Sequence, residues 1–125
     1  MKNAVATKKA PAAIGPYSQA IDMGSLIFTS GQIPIDPATG ELVQGGIVEQ
    51  TTQVFHNLRE VLAEAGAVLD DAVKVNVYMT DLADFGALNE VYAGFFTQPY
   101  PARSCVQVAA LPKGAQVEIE IIARK

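Results

Sequence analysis

Arg103 lies two positions before the chain's single cysteine, in "PYPARSCVQVAALP" (99–112), a stretch that alternates like a β-strand. A guanidinium is always charged and presents its donors as a planar fork that fits a carboxylate, each charge-assisted bond being worth about 1.5–3 kcal/mol. The same residue type on a strand also lies along a surface or pairs with a nearby glutamate. The last strand, "VEIE" (117–120) and beyond, places Val117, Ile119 and Ile121 on one face and Glu118, Glu120 and Ile122 on the other. Ile122 argues that this second face is covered, and a glutamate on a covered face is either paired or kept for proton transfer. "TSGQ" (29–32) follows a strand, and Gly31 lets a ligand approach the peptide groups around it as readily as it ends a strand. Asn89 sits on an apolar helical face, four residues after Phe85 and three before Tyr92, where an amide needs a partner from the protein, a ligand or a second subunit. Cys105 reads either as a small buried hydrophobe or as a reactive thiol. One cationic fork, one glutamate and a glycine-exposed backbone together suggest a small anionic substrate.

Other chemistries find few residues. His56 is the only histidine and falls beside Thr52, Arg59 and Glu60, off the apolar stripe of its helix, so a zinc site is not expected. Ser30 and Cys105 have only that one outward imidazole to share, which argues against a nucleophile–base dyad. Nine basic residues against thirteen acidic ones give 9 − 13 = −4, and the basic residues form no internal run, so nucleic acid is not an expected partner. One cysteine gives no intrachain disulfide framework. The N-terminal "MKNAVATKKAPAAIGPY" has no continuous apolar run, and no stretch approaches the roughly 20 apolar residues of a membrane span. A cytoplasmic protein without membrane association is expected.

At 125 residues the chain has the size of one domain, 1–125. Tyr17 to Ile33 holds two strand-like runs around Met23-Gly24-Ser25, a hairpin spacing. "PIDPATGELVQGG" (34–46) reads as a surface excursion. Ile47, Val48, Thr51, Val54, Phe55, Leu58, Val61, Leu62 and Ala65 recur at helical spacing, with Gly66 placed to stop the helix. "VKVNVYM" (73–79) alternates Val73, Val75, Val77 and Met79 against Lys74, Asn76 and Tyr78. A second helix begins near Asp84, with Phe85, Leu88, Tyr92, Phe95 and Phe96 on one face. Strands from Arg103 to Val108 and from Gln116 to Ile122 complete the order β, β, α, β, α, β, β, with room for a short extra strand at the N-terminus. Two helices cover one face of such a sheet, yet Leu26-Ile27-Phe28 and 119–122 carry bulky apolar groups on both. The second face is most simply covered by another copy of the chain.

Four blocks, "APAAIGPYSQA" (10–20), "TSGQIPIDPATGEL" (29–42), "DLADFGALNEVYAGFF" (81–96) and "PARSCVQVAALPKGAQVEIE" (101–120), closely resemble the RidA (YjgF) family of reactive-intermediate deaminases, in order and spacing over nearly the whole chain. The resemblance implies a chorismate-mutase-like α+β fold, a mixed β-sheet with two helices on one face, and a homotrimer whose sheets form a central β-barrel with active sites between subunits. It implies 2-iminobutanoate/2-iminopropanoate deaminase activity on a small carboxylate-bearing imine, released as a 2-keto acid and ammonia, with no cofactor. By the same resemblance Arg103 binds the substrate carboxylate and Glu118 is the catalytic glutamate. Tyr17, Ser30, Gly31, Asn89 and Cys105 match pocket positions, Cys105 chiefly through its backbone. Arg103 is expected to face Glu118, from the next strand, across a cleft. Some family members are described as endoribonucleases or translation inhibitors, and a binding or chaperone-like protein that kept the fold is a third reading. Ile121, where the family suggests alanine, and the short Gln98-Pro99-Tyr100 link are expected to alter the mouth of the cleft.

Overall fold

A computed structural model describes all 125 residues, Met1–Lys125. Helix α1, Ile47–Glu64, supplies most of one side of the core. Val54, Phe55, Leu58, Val61 and Leu62 recur at helical spacing, and all five are fully buried. At its start the Glu49 carboxylate accepts from the Gly46 N–H at 2.9 Å, satisfying one of the donors a helix leaves free. At its end Gly66 adopts φ +85°, the left-handed conformation that closes a helix. Helix α2, Phe85–Ala93, packs against α1 through Leu88 and Tyr92. Phe95 and Phe96 lie beyond its last turn rather than on its face, and they close on Phe55 with ring centroids 4.8 Å and 5.5 Å away.

The strands are β1 (Asn3–Val5), β2 (Ala20–Asp22), β3 (Leu26–Thr29), β4 (Ile35–Asp36), β5 (Glu41–Leu42), β6 (Ala72–Met79), β7 (Ala102–Gln107) and β8 (Val117–Arg124). Six of them form one sheet in the order β1-β2-β3-β8-β6-β7, antiparallel except for the parallel pair β6/β7. The parallel pair is joined through α2, as a crossover requires. The last strand, β8, inserts between β3 and β6, so the chain's end is the centre of the sheet. Both helices pack on one face of this mixed sheet, giving the expected α+β architecture, with β1 as the extra N-terminal strand. Residues 34–46 are more ordered than a plain excursion, since β4 and β5 form a small hairpin of their own.

Pairing register sorts the side chains. Ile27, Val75, Val77, Met79, Val117, Ile119, Ile121 and Ala123 face the helices and are essentially inaccessible. Ile121 therefore belongs to the core and does not shape a cleft mouth as expected. The other face carries Lys74, Asn76, Tyr78, Glu118, Glu120 and Ile122, with Leu26, Phe28 and Val106 exposed at 37, 41 and 47 %. Val73 breaks the alternation read for its strand. A bulge between Ala72 and Lys74 puts Ala72 on the inner face and leaves Val73 exposed.

Asn57 is a buried polar residue that the helical spacing of α1 does not single out. Asn57, 1 % exposed, donates to the carbonyls of Ile35 at 2.9 Å and Ile33 at 3.3 Å, and accepts from Gln53 at 2.9 Å. It ties the loop that follows β3 to α1. Asn57→Ala is expected to cost about 2 kcal/mol by removing donors from these carbonyls, seen as a lower denaturant midpoint at unchanged slope.

Candidate active site

Arg103 pairs with Val75 in the parallel register of β6 and β7, so its side chain leaves the sheet on the helix side. Because β7 is the sheet edge, α2 rather than α1 meets it there. Phe85, Asn89 and Tyr92 fall at i, i+4 and i+7, one stripe of α2. The guanidinium lies along that stripe, its carbon 5.4 Å from the Phe85 ring centre and 4.6 Å from that of Tyr92, while Nη1 donates to Asn89 Oδ1 at 2.7 Å. This answers the question posed by Asn89: its partner is Arg103. The one ion pair in the chain joins Lys125 to Asp22 at 2.6 Å, so Arg103 is paired with no carboxylate and keeps donors free for a ligand. Asn89, Tyr92, Ala93, Tyr100, Pro101 and Arg103 line a cleft of about 480 Å³, to which the short 98–100 link contributes Tyr100. The Tyr92 hydroxyl is buried without a hydrogen-bond partner, and that burial pushes its pKa up against the opposing pull of Arg103.

Glu118 occupies the opposite face. It stands across from Tyr78 in the antiparallel register and beside the end of β3. Between the pairs Phe28–Ile122 and Gln32–Ile119 the β3 side carries one extra residue, a bulge. The Thr29 hydroxyl oxygen replaces the missing backbone acceptor, taking the Ile121 N–H at 2.9 Å. The bulge brings Gly31 against Glu118: a Cβ at residue 31 would stand 2.8 Å from Glu118 Cδ and 3.1 Å from Cγ. Glycine is needed here for close approach, and its N–H makes no hydrogen bond. Ser30 donates its hydroxyl to the Ser18 carbonyl at 2.6 Å, holding the 12–18 segment in place, and Tyr17 stands exposed at its end. Tyr17, Ser30, Gly31, Gln32, Lys113 and Glu118 lie around a second cleft, of about 510 Å³. Burial pushes the Glu118 carboxyl up from its ordinary pKa, and the neighbouring Glu120 pushes it further.

One expectation is corrected by this geometry. Arg103 and Glu118 do not face each other within one chain, because β6 lies between their strands and their side chains leave opposite faces of the sheet. Within one chain Cys105 lines neither of these two clefts. Its thiol sits 3.5 Å from Met79 Sδ, and burial pushes its pKa up against the pull of Arg103, as suits a small hydrophobe rather than a nucleophile. The structure thus groups Tyr17, Ser30, Gly31 and Glu118 in one cleft and Arg103 with Asn89 in the other. No three His, Cys, Asp or Glu side chains cluster as metal ligands would. A larger cleft of about 620 Å³ between Asp70, Thr97, Tyr100 and Arg124 shares only Tyr100 and Pro101 with the Arg103 cleft, and its Asp70 is already used by the Thr97 N–H at 2.9 Å. Size does not locate the chemistry here.

Two supporting residues escaped the sequence reading. Gln19 is buried and holds Thr7 and Pro11, accepting from Thr7 N at 2.6 Å and donating to the Pro11 carbonyl at 2.7 Å. Lys113, at φ +60° just before Gly114, brings a cation to the rim of the Glu118 cleft. The Lys-Gly turn was visible in sequence, but its position beside Glu118 was not.

Comparison with known proteins agrees with the four-block resemblance. Residues 7–125 match the profile of the family described as Endoribonuclease L-PSP. The chain is 55 % identical to a RutC family protein of Pyrococcus abyssi, over 99 % of this chain and 98 % of the relative. It is 49 % identical to the 2-iminobutanoate/2-iminopropanoate deaminase of Mus musculus, over 98 % and 91 %. Among solved structures it is similar to RidA of an Antarctic Psychrobacter, with TM-score 0.95 and 50 % identity over 98 % and 99 % of the two chains. It is also similar to E. coli TdcF with bound serine, at TM-score 0.93 and 45 % identity over 98 % of both.

Two substitutions probe the separate clefts. Gly31→Ala is expected to displace the Glu118 carboxyl in a crystal structure, because a Cβ at residue 31 would stand 2.8 Å from Glu118 Cδ, with little loss of stability in denaturant titration because the carboxyl end of that side chain can swing aside. Tyr92→Phe is expected to raise stability by about 1 kcal/mol in denaturant titration, because it keeps the ring under Arg103 and removes a buried hydroxyl that has no partner.

Proposed function

We propose that this chain, which belongs to the Endoribonuclease L-PSP family to which RidA also belongs, hydrolyses 2-iminobutanoate and 2-iminopropanoate to the 2-keto acid and ammonia, in clefts shared between the subunits of a homotrimer. The observation that carries this reading is the division of labour across the sheet. The free cationic fork is on one face at the edge strand, and the carboxyl beside Gly31 is on the other. Neither half can do the chemistry alone, and a second copy laid against the apolar outer face supplies the missing half. Leu26, Phe28 and Val106 give that face the uncovered apolar surface that such packing buries. Relatives at about half identity, from mouse and goat, carry the deaminase name.

In this reading Arg103 takes the substrate carboxylate in its remaining donors, oriented by Asn89 and the rings of α2. An imine carbon is already electrophilic, so the chain needs only a placed water and a group to shuttle protons. Glu118 gives its proton to the imine nitrogen, and water adds to the carbon and returns a proton to the carboxylate. Glu118 then carries the hydroxyl proton to nitrogen as the C–N bond breaks and ammonia leaves. The free N–H of Gly31 is a donor beside this path. RNA cleavage finds less support: the net charge is −4 and the only imidazole is on the exposed side of α1, 5.9 Å from Phe95, with neither cleft lined by it.

The test follows loss of the imine released by a pyridoxal-phosphate dehydratase. Arg103→Ala is expected to lower the rate ~100-fold or more, since about two charge-assisted bonds are lost. Mixing Arg103→Ala with Glu118→Gln subunits in equal amounts is expected to restore activity to about a quarter of wild type, because each shared site draws its two groups from different chains. Full activity of Arg103→Ala would overturn the assignment of the site, and mixtures that stay inactive would overturn the shared cleft.

A further inference from the structure

Arg103 meets the middle of α2, and the approach to that helix is tied to the same strand. On β7 the side chains of Arg103, Cys105 and Gln107 share the helix side with Val75, Val77 and Met79, their partners in the parallel register. Gln107 Oε1 accepts the backbone N–H of Leu82 at 2.9 Å. Leu82 opens the short 3-10 turn Leu82–Asp84 that leads into α2, where the first N–H groups have no partner within the turn. Asp81 takes two of them, Oδ1 accepting from the Ala83 N–H at 2.9 Å and its carbonyl from the Asp84 N–H at 3.1 Å. The Leu82 N–H is left over, and the acceptor that meets it stands 25 residues further along the chain.

This bond has a counterpart in the one from Arg103 Nη1 to Asn89 Oδ1, at 2.7 Å. Arg103 and Gln107 are four residues apart on an extended strand, about 13 Å. Leu82 and Asn89 are seven residues apart in helical conformation, roughly 11 Å. With α2 running antiparallel to β7 the two lengths match, so both straps form at once without bending either element. Phe85 lies between them, its ring centre 5.4 Å from the guanidinium carbon. No other hydrogen bond joins α2 or its leading turn to β7.

We propose that Gln107 is a positioning residue for the deamination: by tying the approach to α2 to the strand that carries Arg103, it sets Phe85 and Asn89 against the guanidinium and keeps the fork aimed at the substrate carboxylate. The inference rests on the function proposed above, in which Arg103 is the carboxylate clamp. With the strap cut, α2 keeps its packing on α1 through Leu88 and Tyr92 but loses the bond that fixes its leading turn against β7. The guanidinium then has more orientations to give up when it takes a ligand. The loss falls on binding and not on proton transfer, because Gln107 is no part of the cleft around Glu118.

Each partner of the strap can be removed separately. Gln107→Leu takes away the acceptor. Leu82→Pro takes away the donor at a place that suits proline: residue 82 is the first of its turn, Asp81 before it is extended at φ −150° and ψ 110°, and the Leu82 side chain is largely exposed. Gln107→Glu keeps an acceptor oxygen. The readouts are Kd for 2-oxobutanoate, and KM and kcat for the imine released by a pyridoxal-phosphate dehydratase. Gln107→Leu and Leu82→Pro are each expected to raise Kd and KM ~5-fold, the worth of one hydrogen bond, with kcat within ~2-fold of wild type. The double variant is expected to bind no more weakly than either single one, because both remove the same bond, and Gln107→Glu is expected to bind like wild type. An unchanged Kd in Gln107→Leu, additive losses in the double variant, no rescue by Gln107→Glu, or an effect on kcat instead of KM would overturn the positioning role. A wild type that binds 2-oxobutanoate no better than Arg103→Ala would overturn the strap together with the clamp. Binding of 2-oxobutanoate needs no turnover, so proteins that follow the expected pattern of Kd but do not speed keto acid release overturn the deaminase reading instead.

Discussion

The pleat of the central strands, which sends successive side chains to opposite faces, is the constraint on which the rest of this molecule depends. β8 lies between β3 and β6, so its inner row of Val117, Ile119, Ile121 and Ala123 is sealed under α1. Its outer row of Glu118, Glu120 and Ile122 is thereby committed to the other side. A one-residue slip would bury both carboxylates in an apolar core, so register is strongly specified. Arg103 obeys the same rule from the edge strand, where the helix side is open enough to admit a charged head between α2 and the sheet.

Local irregularities then refine what the pleat sets coarsely. The bulge at 29–32 carries Gly31 out of the ladder and sets its backbone N–H beside Glu118. The bulge at Val73 turns a valine outward without disturbing Val75 and Val77 beneath the helices. Buried amides do the equivalent work for loops: Gln19 holds the N-terminal segment and Asn57 the stretch after β3, each by bonds to backbone far along the chain.

What was legible in the sequence is what depends on neighbours along the chain. The stripe of α1, its stop at Gly66, the hairpin around Gly24 and the alternation of β8 all follow from local spacing, and the structure has them. What was not legible depends on pairing. Val73 looks like Val75 until the register against β8 is known. Arg103 and Glu118 look like neighbours in consecutive strands until β6 is found between them. Phe95 and Phe96 keep helical spacing with Tyr92 but fall after the helix has ended, because they are drawn onto Phe55. Asn57 shares its stripe with apolar residues, and the carbonyls it binds are 22 and 24 residues away. The four-block resemblance named Arg103 and Glu118 together, yet it could not divide them between the faces of one sheet.

The place of Arg103 at the sheet edge has a consequence in time as well as in space. β8 is hydrogen-bonded along both sides, whereas β7 is held on one side by β6 and can fray without disturbing the core. The cationic fork of Arg103 therefore rides on an edge strand, while Glu118 and Glu120 ride on a strand held along both sides, among the last to open. The margin of the sheet can breathe while the carboxyls keep their geometry.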